Sequence, residues 1–354
     1  MSRFFKLTEL EPYVPGEQPA NVDRLIKLNT NESPFPPSPR AIAAVTGQEL
    51  EKLRLYPSLD AKGLINAIAD HYDVSPRQIC VCNSSDETLA FMYHGLCPNG
   101  AVFADLTYGF YPVFCHMFGI PYEEIPLRED FTIDVEDYRG KKGTVFITNP
   151  NAPTGLFLPL EHIRRLLEQD RDRLVVVDEA YIDFGGETAV PLLKEYDNLL
   201  ITQTFSKSRS LAGGRLGFII GSEELANDMN TLKYSFNPYN VNRVTMLMGE
   251  QAMRDEAYFD ECRRAIMQAR EWTKQELRGL GFTVTDSLAN FLFAASPDIR
   301  GSAYYEALRE RGILVRHFNK ERIADYCRIT VGTMQQMQAL VEATGDILKG
   351  VKQK

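Results

Sequence analysis

Six short apolar runs alternate with helical patterns between residues 79 and 220, and this alternation limits the possible folds more than any other feature of the chain. The runs are rich in β-branched and aromatic residues and are apolar at successive positions, so each strand is predicted to be covered on both faces. They are Ile79–Cys82, Ala101–Ala104, Thr144–Thr148, Leu174–Val177, Leu199–Ile201 and Leu216–Ile220. Strands of this kind, separated by helices, predict a mainly parallel α/β sheet.

The rest of the chain predicts a second, smaller α+β domain. A helical stretch at roughly 238–278 carries the only tryptophan, Trp272, and four strand-like runs with helices between them follow it. These runs are Phe282–Thr285, Asn290–Phe293, Ile313–Arg316 and Cys327–Val331.

The N-terminal part of the chain is rich in proline and lacks a periodic pattern. The segment Asn29–Pro39 is therefore predicted to be an extended arm, which we expect to pack with the smaller domain. We accordingly predict a large domain at 45–262, and a smaller domain formed by 1–44 together with 263–354.

The composition argues against several classes of protein. The chain has 354 residues, of which 44% are hydrophobic and 25% charged, as in soluble globular proteins. The net charge of −9, without a block of like charge, argues against a nucleic-acid partner and a basic membrane-binding surface. No apolar run is long enough for a transmembrane helix, and the first residues lack the features of a signal peptide.

The cysteines and histidines do not predict a metal site. The six cysteines are scattered without a Cys-x-x-Cys pattern, which is typical of reduced core residues in a cytoplasmic protein. A site at Cys80 and Cys82 is not expected, on the assumption that these two residues of a strand face opposite sides. The five histidines also lack the spacing of metal ligands.

One lysine, Lys207, follows the strand-like run Leu199–Ile201 in a setting that suits a covalently bound cofactor. Hydroxyl groups lie close to it in the sequence, and Arg215 follows eight residues later. The hydroxyl residues are Thr204, Ser206 and Ser208. A lysine that forms a Schiff base needs a rigid support, and the serines and the arginine suit a phosphate ester, so the segment suggests pyridoxal 5'-phosphate (PLP). Taken alone, the segment fits a surface turn with a solvated lysine about equally well.

Polar and aromatic residues also follow other predicted strands, where ligands of parallel sheets bind. Ser84 and Glu87 form a capping-box pattern, which predicts a helix start whose backbone amides suit a phosphate. Tyr108 could stack on a planar ring, and the amides of Asn149–Gly155 could reach a phenolic oxygen. An ordinary helix cap, a core aromatic residue and a simple turn are the alternative interpretations of these three features.

A carboxylate and a tyrosine follow the run Leu174–Val177. Asp178 could pair with a protonated pyridine nitrogen, and Tyr181 could donate a hydrogen bond to the ring's O3' atom. A helix start and a metal-binding carboxylate are the alternatives for Asp178. The order of all these features along the chain, ahead of Lys207 and Arg215, is a stronger indication than any one of them.

With these motifs the chain resembles the fold-type I PLP-dependent aminotransferases, and within them the histidinol-phosphate aminotransferases. The resemblance covers nearly the whole length. The motifs that carry it are Lys27–Phe35, Leu55–Pro57, Ser84–Glu87, Thr107–Tyr111, Asn149–Gly155, Asp178–Tyr181, Ser206–Arg215 and Cys327–Thr333. It implies a large domain with a mainly parallel seven-stranded sheet, a smaller α+β domain, PLP as cofactor, and a homodimer with shared active sites. It also implies amino-group transfer between L-histidinol phosphate and 2-oxoglutarate, in histidine biosynthesis.

Matched position by position, the resemblance also implies roles for individual residues. Lys207 would carry the cofactor and move the proton, while Asp178 would pair with the ring nitrogen. The other cofactor contacts implied are Tyr181 to O3', Tyr108 on the ring, Ser85, Asp86, Ser206 and Arg215 at the phosphate, and Tyr56 at the phosphate of the partner subunit. The implied substrate residues are Arg328 and Arg316 at an anionic group, with Tyr13 and Asn31 from the arm.

One position departs from the family pattern. The family has an asparagine directly before Pro-Thr-Gly, but this chain has Ala152 there and Asn151 one residue earlier. Either Asn151 contacts O3' from a shifted turn, which we favour, or the contact is missing and Tyr181 acts alone.

Three other functions stay open from the sequence. A lyase such as a threonine-phosphate decarboxylase, or an aromatic amino acid aminotransferase, would use the same lysine and aspartate. A non-catalytic module, such as the aminotransferase-like half of a transcription regulator, is disfavoured by the acidic charge and by the filled catalytic positions.

Overall fold

The computed structural model describes residues 7, 10–19 and 24–352. Its β-strands are β1 (Ile26–Lys27), β2 (Ile79–Cys82), β3 (Ala101–Ala104), β4 (Tyr122–Ile125), β5 (Thr144–Thr148), β6 (Val175–Asp178), β7 (Leu199–Thr204), β8 (Gly217–Gly221), β9 (Thr283–Val284), β10 (Phe291–Ala295), β11 (Ile313–Leu314), β12 (Arg316–His317) and β13 (Tyr326–Thr330). Its α-helices are α1 (Pro39–Ala43), α2 (Gly47–Glu51), α3 (Lys62–Tyr72), α4 (Ser84–Gly95), α5 (Tyr111–Phe118), α6 (Leu160–Glu168), α7 (Glu223–Phe236), α8 (Arg243–Arg254), α9 (Glu256–Gly279), α10 (Gly301–Glu310) and α11 (Met334–Lys352).

The large sheet has seven strands in the order β2-β8-β7-β6-β5-β3-β4. Strands β3 to β7 pair in parallel with one another, and β8 runs antiparallel to both of its neighbours. Strands β5, β6 and β7 are buried along their whole length, as their continuous apolar runs predict. The predicted fold class, a mainly parallel seven-stranded sheet with a smaller α+β domain, is therefore confirmed.

The edge strand β4 is absent from the six runs identified in the sequence. Its first three residues, Tyr122–Glu124, are exposed, and only Ile125 is buried. An edge strand with a solvent-facing, charged sequence has no continuous apolar run, so its pattern does not distinguish it from a loop.

The smaller domain is built around a four-stranded antiparallel sheet in the order β12-β13-β10-β9. The arm packs with it as predicted, because β1 pairs in parallel with β11 and Leu28 joins the same apolar core as Phe291 and Ile329. The predicted strand Ile313–Arg316 is two short strands in different sheets, which separate at Val315. The domain boundaries stay a prediction, and the one at 262/263 falls inside the continuous helix α9.

The helical stretch predicted at roughly 238–278 is two helices, α8 and α9, which meet at Asp255. This residue leaves the helical conformation with φ −95° and ψ 64°. Its carboxylate accepts a hydrogen bond from Ser38, the residue that also caps the N-terminus of α1. The contact with the arm therefore lies at the residue that separates the two helices.

Two expectations from the sequence were wrong in detail. Helix α4 begins with Asn83 at the N-cap, not Ser84, and the Glu87 carboxylate accepts from the Asn83 N–H at 2.6 Å, so the predicted capping box is not formed. Cys80 and Cys82 face the same side of β2, with their Sγ atoms 3.9 Å apart, because residues two apart on a strand share a face.

Among the residues that the structure describes, no cluster of three acidic, histidine or cysteine side chains is arranged to bind a metal.

Within the described ranges, no helix combines the length and apolar character that crossing a membrane requires.

Gly217 gives a test of how the sheet supports the start of α4. A Cβ atom there would lie 2.5 Å from the carbonyl carbon of Ser84 and from the amide nitrogen of Ser85. We expect Gly217→Ala to lower the free energy of unfolding by about 1–3 kcal/mol, because backbone atoms must move to make room.

The matched control is Gly345→Ala in helix α11, where a Cβ atom meets nothing within 4 Å. This substitution is expected to raise the free energy of unfolding by about 0.5–1 kcal/mol, since glycine is unfavourable inside helices. Urea unfolding of the two variants measures both values. Equal stability of the two variants would contradict the close contact.

Candidate active site

The carboxyl ends of the strands open onto a cavity of about 370 Å³ in the large domain. The loops and strand ends after β2, β3, β5, β6 and β7 each contribute to its wall, as expected for a parallel sheet. Representative wall residues are Ser85, Tyr108, Thr148, Asp178, Thr204 and Lys207. The structure thus brings together residues that are more than 100 positions apart in the sequence.

Asp178, the last residue of β6, forms the buried acidic end of this cavity. It pairs in register with Thr148 of β5 and Thr202 of β7, so strands enclose it on both sides. Burial raises the pKa of its carboxyl group to about 6, although hydrogen bonds from the Tyr111 hydroxyl (3.0 Å) and the Ala180 N–H (3.2 Å) lower that pKa. A cationic partner inside the cavity would stabilise the ionised form.

Lys207 lies in the turn that follows β7. The turn is fixed by the Ser206 N–H, which donates to the Thr204 hydroxyl at 3.1 Å, and by the Phe205 and Leu216 backbones, which are joined at 2.9 Å. The Lys207 Nζ atom lies 3.5 Å from the Thr30 carbonyl oxygen and 5.7 Å from the centre of the Tyr181 ring. The amine therefore projects into the cavity from a rigid support.

The start of α4 forms the anion-binding end of the cavity. Asn83, at the N-cap, donates its side-chain amide to the Asn240 carbonyl (3.0 Å) and does not cap the helix. The Asp86 N–H donates to the Ser84 hydroxyl (3.3 Å), whereas the Ser85 N–H remains for a ligand. The close approach of Gly217 to Ser84 holds this helix end against the sheet.

Arg215 and Asp86 complete this end of the cavity. The Arg215 guanidinium pairs with the Asp86 carboxylate at 2.6 Å, and the other oxygen of that carboxylate accepts from the Tyr108 hydroxyl at 2.9 Å. The sequence identified the Asp86 backbone as a phosphate contact but did not predict that its side chain would join Arg215 to Tyr108.

Tyr181 is held by the arm. The Asn31 side-chain amide donates to the Tyr181 hydroxyl at 3.1 Å, and Asn31 itself has a positive φ of 58°. Its backbone is fixed from both sides, because its N–H donates to the Thr330 hydroxyl (2.9 Å) and its carbonyl accepts from Asn290 (2.9 Å). Asn31 thus contacts a predicted cofactor residue, whereas the sequence had assigned it to the substrate.

Asn151 does not face the cavity. Its amide nitrogen donates to the Leu106 carbonyl (2.9 Å) and to the Thr154 hydroxyl (3.2 Å), and its oxygen accepts from Thr107 (2.9 Å). Ala152 lines the cavity instead. Because its amide is used inside the turn, the expected contact of Asn151 with O3' is not supported. The alternative, in which Tyr181 alone contacts that atom, stays a prediction.

The described part of the arm lies over the residues predicted to bind substrate. The Tyr13 ring packs 4.8 Å from Phe110 and 6.4 Å from Tyr108, measured between ring centres. Arg316 donates to the carbonyls of Val14 (2.9 Å) and Pro15 (3.2 Å), so its guanidinium holds the arm in this structure. Its predicted contact with an anion stays a prediction.

Arg328, on β13, is a cation without an acidic partner among the described residues. Its terminal nitrogen donates to the Asn29 carbonyl at 3.1 Å, while its buried Nε atom has no hydrogen-bond acceptor in the described part of the chain. Burial lowers the pKa of this guanidinium. A buried cation in this state has unused capacity to bind an anion.

Tyr56 lies outside the cavity of its own chain. Its side chain is 78% exposed and stacks on Tyr239, with ring centres 4.4 Å apart. This position neither supports nor excludes its predicted contact with a partner subunit.

Several cavity residues were not singled out from the sequence. Thr30 and Glu32 reach the wall from the arm, and Thr148 reaches it from β5. All three lie within the motifs or strands identified in the sequence. A sequence motif does not show which of its side chains face the cavity.

The cavity residues fit a planar aromatic phosphate. Tyr108 offers an aromatic face, Asp178 an anion for a ring nitrogen, and Lys207 an amine. Arg215 and the start of α4 offer donors for a phosphate, so each chemical group of PLP meets a suitable partner in this cavity.

The family of the chain follows from sequence comparison. The profile of the family "Aminotransferase class I and II" matches residues 23–343, most of the chain. The chain belongs to this family.

Similar proteins extend the match over nearly the full length. The chain is 48% identical over 347 residues to a histidinol-phosphate aminotransferase of Pseudomonas putida (strain W619), covering 97% of this chain and 99% of that protein. It is 44% identical over 342 residues to one from Clostridium botulinum (strain Hall), covering 96% of each. The crystal structure of histidinol-phosphate aminotransferase from Sinorhizobium meliloti, in complex with pyridoxal-5'-phosphate, has the same fold, with a TM-score of 0.88, 22% identity and 99% coverage of both chains.

A substitution at Lys207 tests the candidate site. We expect Lys207→Ala to reduce transamination by about 10⁴-fold or more, because the amine that attaches the cofactor and moves the proton is lost. Lys320→Ala is the control, since Lys320 is an exposed lysine that donates to the Asp105 carbonyl (3.1 Å). Circular dichroism checks that both variants are folded. Turnover in Lys207→Ala comparable to that of the control would exclude this lysine as the catalytic residue.

Proposed function

We propose that this chain is a PLP-dependent histidinol-phosphate aminotransferase, which transfers an amino group between L-histidinol phosphate and 2-oxoglutarate. The observation that carries the proposal is the nearly full-length identity of 44–48% to proteins of that name. The arrangement of Lys207, Asp178 and Arg215 around one cavity supports it.

When bound, PLP supplies an electron-accepting ring that stabilises negative charge at the substrate's α-carbon. The protein's residues bind and orient this ring. Asp178 would pair with its nitrogen, Tyr181 would donate to O3', and Tyr108 would cover one face. The Lys207 amine would hold the cofactor and would move the proton from the substrate's α-carbon.

Ser85, Ser206 and Arg215 would hold the cofactor's phosphate. The α4 amides favour an anion through their orientation, and Arg215 adds a charge that can exchange Asp86 for the phosphate. These contacts would hold the cofactor through its phosphate, away from the atoms that react.

Arg328 is our candidate for the anionic group of both substrates. Its unpaired Nε atom and its position near the arm suit the phosphate of histidinol phosphate or a carboxylate of 2-oxoglutarate. Arg316 would be its partner once it leaves the arm carbonyls, and Tyr13 would cover the bound substrate.

We also propose a homodimer that completes the active sites. Five apolar or aromatic side chains are exposed near the end of α7 and the segment after α2: Leu53, Leu55, Tyr56, Phe236 and Tyr239. Phe236 is 77% exposed, and an exposed cluster of this kind is typical of a protein interface. In the proposed dimer, Tyr56 would contact the cofactor phosphate of the neighbouring subunit.

A cytoplasmic location is part of the proposal and is supported by six cysteines that are all free thiols.

A half-reaction tests the substrate. PLP-loaded protein is mixed with L-histidinol phosphate, O-phospho-L-threonine or phenylalanine, without a 2-oxo acid, and the cofactor's absorbance is followed. We expect conversion to pyridoxamine phosphate to be fastest with histidinol phosphate. Release of carbon dioxide from phosphothreonine would indicate a lyase, and a faster reaction with phenylalanine an aromatic aminotransferase. Either result would overturn the proposed substrate.

Arg328→Gln tests the anion site separately. We expect KM for histidinol phosphate to rise about 100-fold, because the substrate's anion loses a charged, hydrogen-bonded partner, while PLP binding is retained. The free energy of unfolding should stay equal or increase, since a poorly paired buried charge is removed. Arg311→Gln is the control, because Arg311 is an exposed residue at the end of α10. An unchanged KM in Arg328→Gln would exclude Arg328 from the anion site.

A further inference from the structure

Tyr111, the first residue of α5, contacts the carboxylate of Asp178 from inside the protein. Its side chain is fully buried, and its hydroxyl lies 3.0 Å from Asp178 Oδ2 and 2.8 Å from the Thr148 hydroxyl. Among the described residues, it is the one side chain that donates a hydrogen bond to Asp178; the other donor is the Ala180 backbone N–H.

The direction of these hydrogen bonds follows from their partners. Thr107 donates to the amide oxygen of Asn151, at 2.9 Å, and lies 3.0 Å from the Thr148 hydroxyl. An ionised carboxylate only accepts, so the Tyr111 proton points to Asp178, and Thr148 is free to donate to Tyr111 or Thr107. The chain of hydroxyls is satisfied in this arrangement when Asp178 is ionised.

The Tyr111 ring is fixed by aromatic neighbours. Tyr93, Phe103 and Phe146 lie 5.9, 5.5 and 5.7 Å from it, measured between ring centres. Tyr108, the candidate stacking residue, meets it edge to face at 5.7 Å and 89°. Tyr111 thus contacts both Asp178, the candidate partner of the cofactor's ring nitrogen, and Tyr108, the candidate stacking residue.

We infer that Tyr111 is a positioning residue, which orients the Asp178 carboxylate toward the cofactor's ring nitrogen and fixes it relative to Tyr108. The inference rests on the proposed PLP site. Burial, and to a lesser extent the charge of Asp86, raise the pKa of Asp178, and the Tyr111 hydroxyl opposes that rise. Loss of the hydroxyl should therefore leave more of the carboxyl protonated near neutral pH and unable to pair with a protonated ring nitrogen.

The test compares Tyr111→Phe with Tyr93→Phe in the full-length protein. Both residues are fully buried in one aromatic cluster, but the Tyr93 hydroxyl has no hydrogen-bond partner among the described residues. The affinity of the apo-protein for PLP is measured by absorbance at several pH values. We expect Tyr111→Phe to weaken binding about tenfold at pH 7, and to move the low-pH loss of binding to higher pH, relative to wild type.

Tyr93→Phe is expected to change PLP affinity by less than about twofold, since no hydrogen bond is lost. The ionisable groups Asp86 and Lys207, which also act on Asp178, and the cofactor's own phosphate are the same in all variants. An affinity and pH midpoint of Tyr111→Phe equal to those of wild type would overturn the inference. An equal loss in Tyr93→Phe would do so too, because it would indicate disturbed packing.

A double-mutant cycle adds a second readout. In an Asp178→Asn background, Tyr111→Phe should change PLP affinity by less than about twofold, because the ionised carboxylate that it positions is absent. A loss of affinity as large as that caused by Tyr111→Phe in the wild-type background would overturn the inference.

A second variant applies if Tyr111→Phe does not fold. Thr148→Val removes a hydroxyl partner of Tyr111 at nearly constant volume and should weaken PLP binding several-fold. Unchanged PLP binding would overturn the inference. Failure of the wild-type protein to bind PLP would instead overturn the proposed function.

Discussion

The burial of one carboxylate, Asp178, is the constraint on which the rest of the site depends. It lies at the end of the central strand β6, between β5 and β7, where water cannot solvate it freely. Burying a charge is costly unless hydrogen bonds and an opposite charge compensate. Tyr111 and the Ala180 N–H supply part of that compensation, and a protonated ring nitrogen would supply the rest.

The second incompletely compensated charge, Arg328, lies in the smaller domain. Under the proposed function, a bound ligand would present a cationic ring nitrogen to Asp178 and an anionic group to Arg328. Lys207 lines the same cavity as Asp178, and its amine contacts the arm at Thr30. Under the proposed function, the large domain would hold the cofactor, while the smaller domain and the arm would select the substrate. The pairing of β1 with β11 attaches the arm to the smaller domain.

The sequence predicted the parallel sheet and the strand-end residues well, because continuous apolar runs and the ends of parallel strands follow general rules. It failed where the outcome depends on side-chain direction or on distant partners. Asn151 turned into its own loop, the contact of Arg316 with the arm carbonyls was not predicted, and the edge strand β4 has no apolar run. The hydroxyl contact of Tyr111 with Asp178 joins residues 67 positions apart, and no local pattern predicts it.

The most direct test of this account is to locate the cofactor on the chain. PLP-loaded protein is reduced with borohydride, which makes the lysine–cofactor bond permanent, and the digested peptides are analysed by mass spectrometry. The account predicts the added mass on Lys207, with none on Lys27, which pairs with Glu32 at the arm side of the cavity. Modification of another lysine, or none at all, would contradict the assignment of this cavity as the PLP site.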